Sequence, residues 1–400
     1  MNFFKTVSLE EAKNILRDER ERIKEEENLP LMESLDRILS EDIYSPMDLP
    51  TYNRSTVDGY GVVSEDCQLA SETFPTLLHK SGEIGMGEIS DKILKNGETI
   101  YIPTGAMVPE GCDGVVMVEY CDTLGGEILI NRGVSKFENV IKKGDEIRVG
   151  ELLIEKNTSL TPYHIALLAG VGREKVNVLK KIKSVVISTG DEIISLGEKI
   201  TPGKVYDINS YSVESYLKKN GIEILSNTLV KDDREKLKEA LIAGTGEGDV
   251  IFISGGSSVG IRDFTVDVIK EIGGEVLVHG IEIKPGKPTI IARCGSSLVI
   301  GLPGHPQSAL NVLRVITEEL ALKKNPVTYG KLMENISGEA GKTLFINVDL
   351  IENENEILVK PLLSKSSMIR PLVQSQGYIV IPSSKEGLYK GERVKVVLNG

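Results

Sequence analysis

Residues 249–263 read DVIFISGGSSVGIRD. The apolar run from Val250 to Ile253 is bounded by turn signals and reads as a buried strand. It empties into Ser254, Gly255, Gly256, Ser257, Ser258, Val259 and Gly260, and a helical pattern, FTVDVIKEI, follows. Glycine lets backbone approach a ligand closely, and a helix start offers unpaired N–H groups with a favourable dipole. Strand, small-residue loop and helix therefore suit an anion such as a phosphate. Asp263 adds a carboxylate at the loop's mouth, where a bare anion would be repelled. That points to a metal ion, or to a ligand carrying hydrogen-bond donors. A tight strand-to-helix turn in any α/β domain fits the same string, so the neighbouring segments decide.

Outward from this loop, strands and helices alternate from residue 181: KSVVIST, YSVESYLKKNG, IEILSNTLV, REKLKEALIAG, DVIFIS, FTVDVIKEIGG. Such alternation means βαβ units on a mostly parallel sheet covered on both faces. Ligands of these sheets sit at the carboxyl ends of the strands. Five polar motifs fall there: 188–192 (STGDE), 231–233 (KDD), 254–260, 284–288 (KPGKP) and 302–306 (LPGHP). Glu192, Asp232 (or Asp233) and Asp263 place carboxylates at three strand ends, a donor set that suits Mg2+. Helix N-capping accounts for any one of them equally well. Lys284 and Lys287 flank Pro285-Gly286 and form a local cationic pocket for an oxyanion or phosphate, or else a solvated charged turn. Pro303 to Ser308 precede a helix (ALNVLRVI), again a helix-start anion site, in which a lone His305 is more often structural.

On the N-terminal side, Ser8 and Glu11 have capping-box spacing at the start of a helix over 8–27, and PLMESLDRIL reads as a second helix. Prolines 46 and 50 mark an extended crossing, and Asp58-Gly59 is a turn signal. Short alternating segments from 60 to 146 suggest a β-rich insert, and a helix starts at Thr161-Pro162. After 325 the pattern is β again. The chain thus divides into 1–50 with 144–180 as one helical and linker domain, a β-rich insert at 51–143, an α/β domain at 181–325 and a β tail at 326–400.

A length of 400 residues suits roughly two to four domains. Interspersed charges, an N-terminus that turns charged at once and the lack of a long apolar window predict a cytoplasmic protein with no membrane partner. A net charge of −12 argues against nucleic acid. Four scattered cysteines and four histidines without paired spacing argue against a zinc site or a disulfide framework. No nucleophile–histidine pairing stands out, so the chemistry rests on carboxylates, amides, lysines and hydroxyls. Tyr60, Tyr101 and Tyr206 lie near motifs but are more often packing residues.

The strings NRSTVDGY, PTGAMVPEG, KKGDEIRVGELL, STGDE, KVYDINS, VKDD, SGGSSVG with its following Asp, KPGKP and LPGHPQSA, in this order over 53–309, resemble the molybdopterin molybdenumtransferase family (MoeA and the E domain of gephyrin). The resemblance implies a helical N-terminal domain with an inserted β-rich domain, a molybdopterin-binding α/β domain and a C-terminal β-barrel. It also implies a homodimer whose active site joins the α/β domain of one subunit to the N-terminal part of the other. The implied reaction takes adenylylated molybdopterin, received through transient contact with the molybdopterin adenylyltransferase, and molybdate or tungstate. Hydrolysis with Mg2+ or a similar divalent ion releases AMP and leaves the metal on the dithiolene sulfurs. Residues carried over are Asp58, Thr104, Glu192, Asp232, Asp263, Pro303 and Pro306 for catalysis, with Glu192, Asp232 and Asp263 on the metal ion. Lys284, Lys287, Ser308 and Ser367 are similar to the positions that hold the oxyanion.

Three departures accompany the match. His305 stands where the family has Asn in LPGNP. Ile141 follows Asn139-Val140 where an Arg is common, and the acidic pair after it is Asp145-Glu146. Phe345-Ile346 is followed by Asn347 where the family has the Arg of F-x-R, and Arg370 is expected to supply the missing cation. Asn347 and Ile141 keep a second reading open, a non-catalytic molybdopterin-binding carrier or sensor. A scaffolding role like that of gephyrin would need linkers or a fused domain that these residues do not offer.

Overall fold

The computed structural model describes residues 6–255, 259–353 and 356–399, with side chains in the helix Val259–Glu271 described from Phe264 onward. Gly256, Ser257 and Ser258 therefore lie outside the described residues, as do the side chains at 259–263, Asp263 included. The chain forms two compact units, 1–27 with 179–400, and 28–178.

The first unit is built on a six-stranded sheet. Its order is Glu223–Val230, Lys183–Thr189, Val250–Gly255, Ser297–Leu302, Ile290–Cys294 and Glu275–His279. The first four strands are parallel. Ile290–Cys294 runs antiparallel to Ser297–Leu302, because Gly295-Ser296 is a two-residue turn, too short for anything but a hairpin, and Glu275–His279 pairs antiparallel with Ile290–Cys294 in turn.

Val250, Ile251, Phe252 and Ile253 are all buried because both faces of the sheet are covered. Val250 and Phe252 face one core with Val186, Leu298, Ile300, Val312 and Ile316, whereas Ile251 and Ile253 face another with Val185, Leu237, Leu241 and Ile269. The period of two along the strand thus feeds two cores.

The helix Leu9–Ile23 begins at Ser8, whose hydroxyl accepts the Glu11 N–H at 3.2 Å. The sequence reading groups this helix with 144–180. Its buried residues Ala12 and Leu16 instead join the α/β core, and Lys13 and Arg17 pair with Glu319 of the helix Pro306–Leu320.

The C-terminal strands close into a barrel. Thr343–Glu352 pairs with both Ile357–Pro361 and Gly377–Ile381, and Val327–Leu332 and Arg393–Leu398 complete the ring. Leu332, Val348, Val359, Ile379, Val394 and Val396 fill it. Ile283–Lys284 adds alongside Thr343–Glu352, bringing the KPGKP turn to the barrel.

The second unit holds a six-stranded sheet, ordered Gly114–Met117, Gly59–Val62, Glu98–Ile102, Thr76–Glu83, Glu127–Ile130 and Cys121–Leu124. The helix Pro162–Gly170 starts as expected, with Thr161 and His164 in a reciprocal cap. PLMESLDRIL is not a full helix. It makes one 3-10 turn, Leu31–Ser34, and then extends so that Leu39 N–H bonds Thr158 O and Leu160 N–H bonds Arg37 O. Leu39 reaches full burial beside Ile154 and Leu160 by that route, and tertiary pairing overrides a local helical preference. No helix among the described residues is long and apolar enough to cross a membrane.

Candidate functional site

Because Lys183–Thr189 and Glu223–Val230 are parallel neighbours, the loops leaving their carboxyl ends meet. Asp191 N–H donates to Asp232 Oδ2 at 3.3 Å, and Asp232 N–H donates to Asp191 Oδ1 at 3.3 Å. Asp232 Oδ1 is buried and has no partner. Burial pushes the Asp232 carboxyl above its ordinary value, the charges of Glu192 and Asp191 push the same way, and the Asp191 N–H opposes them. Asp233 has a different task. It caps the helix Arg234–Glu247, accepting from Glu235 N–H at 2.9 Å and Lys236 N–H at 3.1 Å. Capping therefore explains Asp233 and leaves Asp232 free for a ligand.

The neighbouring strand end belongs to the opening motif. Gly255 has φ +146°, and a Cβ there would sit 2.0 Å from the Thr189 carbonyl oxygen, so two strand ends converge only around a glycine. Ser254 Oγ is buried without a partner. Across the loop 207–210, Asp207 Oδ1 accepts Ser210 N–H at 3.0 Å and the Ser188 hydroxyl at 3.4 Å. Asn209 Nδ2 donates to Gly304 O at 2.8 Å, which leaves Asn209 Oδ1 buried and unpartnered. Asp207 and Asn209 were not among the expected site residues. Their signal was present in KVYDINS, an acidic and an amide side chain at a strand-to-helix junction.

These atoms are hard oxygen donors, and the orphaned Asp232 Oδ1 beside Asp191 and Glu192 fits a divalent cation of the Mg2+ type, held by one or two carboxylates and substrate oxygens. Among the described residues no three His, Cys, Asp or Glu side chains converge on one point. The fit therefore rests on Asp232 and Glu192.

A second constellation lies where the KPGKP turn, the start of the helix Pro306–Leu320 and the barrel meet. A cavity of about 250 Å³ is lined there by Lys284, Gln307, Phe345, Asn347, Ser364 and Ser366, among others. Gln307 Oε1, Asn347 Nδ2 and Ser364 Oγ are buried without partners. At the mouth Lys284 Nζ lies 2.6 Å from Glu339, which Lys342 also contacts, and the two cations draw the Glu339 carboxyl down to about 2. His305 Nδ1 is 2.8 Å from Ser366 Oγ, so His305 positions a serine that lines the cavity. Pro306 stands in the first turn of its helix, and it, Pro303 and Ser308 are buried.

Of the residues expected around an oxyanion, Lys284 lines this cavity, whereas Lys287, Ser308 and Ser367 do not. The serines that do are Ser364 and Ser366. Arg370 is exposed at the start of the short helix Arg370–Gln374. The cation that contacts Asn347 is Arg314, whose Nη1 donates to Asn347 Oδ1 at 3.2 Å. Nothing in the sequence pattern singled it out, since it reads as one polar position of an amphipathic helix.

In the second unit, Asp58 Oδ1 accepts both the N–H of Thr104 at 2.7 Å and its hydroxyl at 2.9 Å. Those two donors hold the Asp58 carboxyl below the usual range. The two residues are thus brought together at the surface as an ionised carboxylate held by a neutral hydroxyl and a backbone N–H.

Known families match the chain in three consecutive stretches. The family description "MoeA N-terminal region (domain I and II)" matches residues 7–172, "probable molybdopterin binding domain" matches 185–323, and "MoeA C-terminal region (domain IV)" matches 329–398. A putative molybdopterin biosynthesis protein of Methanocaldococcus jannaschii is 35% identical over 390 residues, 95% of this chain and 93% of that one. The molybdopterin molybdenumtransferase of Haemophilus influenzae is 30% identical over 402 residues, 98% of each. The crystal structure of a molybdopterin biosynthesis MoeA protein from Pyrococcus horikoshii superposes with a TM-score of 0.81 at 37% identity, over 98% of this chain and 99% of that one.

Proposed function

The chain belongs to the MoeA family, and on that premise we propose that it inserts a metal oxyanion, molybdate or tungstate, into adenylylated molybdopterin with release of AMP. The observation that carries this reading is the placement of buried polar atoms without partners. Asp232 Oδ1, Ser254 Oγ and Asn209 Oδ1 lie at the strand ends, and Gln307 Oε1, Asn347 Nδ2 and Ser364 Oγ surround the cavity. Buried polar groups are normally bonded, so two such sets call for two polar ligands.

At the strand ends, Gly255 lets the backbone approach the phosphates, and Ser254 Oγ and the first N–H groups of Val259–Glu271 donate to them. Asp232 and Glu192, with Asp263 assigned by its place in the motif, would hold the Mg2+ ion, which supplies positive charge against the phosphate oxygens. In the cavity, Lys284 draws the oxyanion and exchanges Glu339 for it, while Ser364 and Ser366 orient its oxygens. Asp58 acts in catalysis as an ionised carboxylate oriented by Thr104. No covalent nucleophile takes part, and positioning with electrostatics supplies the rate. The working unit is a homodimer, and the substrate arrives by transient contact with the molybdopterin adenylyltransferase.

Single-turnover hydrolysis of adenylylated molybdopterin with Mg2+, with molybdate and tungstate added separately, tests the proposal. AMP release that depends on one oxyanion is the expected result and names the metal. Tight pterin binding without oxyanion-dependent release would replace the transferase by a carrier.

A further inference from the structure

Arg314 sits on the helix Pro306–Leu320 and is 8% exposed. Its guanidinium donates to three amide oxygens, Asn311 Oδ1 at 2.8 Å, Asn347 Oδ1 at 3.2 Å and Asn399 Oδ1 at 2.8 Å, and lies 4.1 Å from the Tyr378 ring centroid. Among the described residues no carboxylate pairs with it. Amide oxygens and an aromatic face soften a buried cation without neutralising it, and a buried charge lacking a counter-ion is costly.

The guanidinium also fixes its neighbour. It carries donors only, so the Asn347 amide must turn Oδ1 toward Arg314 and Nδ2 the other way. Asn347 is 1% exposed, lines the cavity with Lys284, Gln307 and Ser364, and has no partner for Nδ2. A buried N–H donor backed by an unneutralised cation is the inner end of an anion site.

We infer that Asn347 Nδ2 grips the oxyanion directly while Arg314, one residue behind it, acts as the positioning residue that supplies the compensating charge. The inference rests on the oxyanion reading given above. In this arrangement the guanidinium polarises the amide and strengthens its donor, as linked hydrogen bonds do. The anion is held by an amide at contact distance and by a charge at one remove.

Equilibrium dialysis of the full-length protein against molybdate alone and tungstate alone, read by elemental mass spectrometry, tests it. Asn347→Asp sets a carboxylate against Arg314 in the same volume, so melting temperature should hold while oxyanion affinity falls by about 10-fold or more. Arg314→Met should lower affinity similarly, and Arg314→Lys should restore part of it, which a purely structural role would not. Asn347→Asp that folds and binds within about 2-fold of wild type would overturn the inference and leave the proposed function standing. Wild-type protein that binds neither oxyanion would overturn both.

Discussion

Asp191 and Asp232 hold each other through their own backbones, each carboxylate accepting the other's N–H at 3.3 Å. The reciprocal contact locks two strand-end loops together and consumes one oxygen of each carboxylate. Of the two oxygens that remain, that of Asp191 belongs to an exposed residue, whereas Asp232 Oδ1 is buried and unbonded at the end of a parallel sheet. On the proposed reading, this carboxylate is oriented by its neighbours and keeps one oxygen for an ion or a donor.

Asp232→Asn therefore keeps the contact through its carbonyl while removing the charge. Divalent-ion affinity, measured by titration of Mg2+ or Mn2+ against AMP release, should fall on the order of 10- to 100-fold with little change in melting temperature. Asp233→Ala should do the reverse, costing about 1 kcal/mol of stability through the lost helix cap while leaving ion affinity intact.

The raised pKa of Asp232 has a sign that can be checked. Between the unfolded value and the higher folded one, the native chain binds more protons than the unfolded chain, so its stability falls as pH rises through that window. On the proposed reading, Mg2+ would take the place of that proton. Other carboxylates, Asp58 and Glu339 among them, are drawn down and push the overall curve the other way. The decline is therefore expected in the difference between wild type and Asp232→Asn in metal-free thermal melts from pH 4 upward, and Mg2+ should reverse that difference. Ion affinity should weaken as pH is lowered through the same window.

Lys284 is engaged by Glu339 before any anion arrives. Glu339→Gln should free it and tighten molybdate or tungstate binding by about 2- to 5-fold in low salt, an advantage that shrinks as salt screens the site. Since the Glu339 carboxyl is drawn down to about 2, this pairing is present above the ordinary Glu range and is lost as pH falls toward 2.

Gly255→Ala places a methyl carbon 2.0 Å from the Thr189 carbonyl oxygen at φ +146°. It should destabilise the protein by more than about 1 kcal/mol, and denaturant unfolding would register the loss. An unchanged midpoint would mean that the strand ends are not as close as the geometry requires.

Asp58→Asn retains an acceptor for Thr104 but loses the negative charge. An AMP-release rate lowered by about 10-fold or more at constant melting temperature is expected if the charge acts in catalysis. Thr104→Val, which keeps the backbone donor and removes the hydroxyl, should have the smaller effect.

Much of this was legible before any coordinates. Val250 to Ile253 reads as a buried strand, because four consecutive apolar residues between turn signals suit a strand with no face left for water. The alternation after residue 181 required a mostly parallel sheet, and parallel strands put their carboxyl ends, and hence the polar motifs, on one edge. The tail read as β and closes as a barrel. Less legible were the edge strands, where the hairpin at Gly295-Ser296 interrupts the alternation, and PLMESLDRIL, whose helical pattern yields to pairing with Thr158 and Leu160.

By itself the sequence determined the order of elements, the β nature of the tail and the edge of the sheet where the polar motifs gather, since these follow from periodicity and turn chemistry over a few residues. Tertiary structure alone decided which side chain does which task there. Asp232 and Asp233 are adjacent in the chain, yet one caps a helix and the other is held by a loop 41 residues away. Arg314 and Arg370 are both arginines near a helix start or face, and only packing of one helix against the barrel brings a guanidinium to Asn347, 33 residues along the chain. Local patterns set backbone conformation, but the direction of a side chain and the company it keeps are fixed by contacts between distant segments.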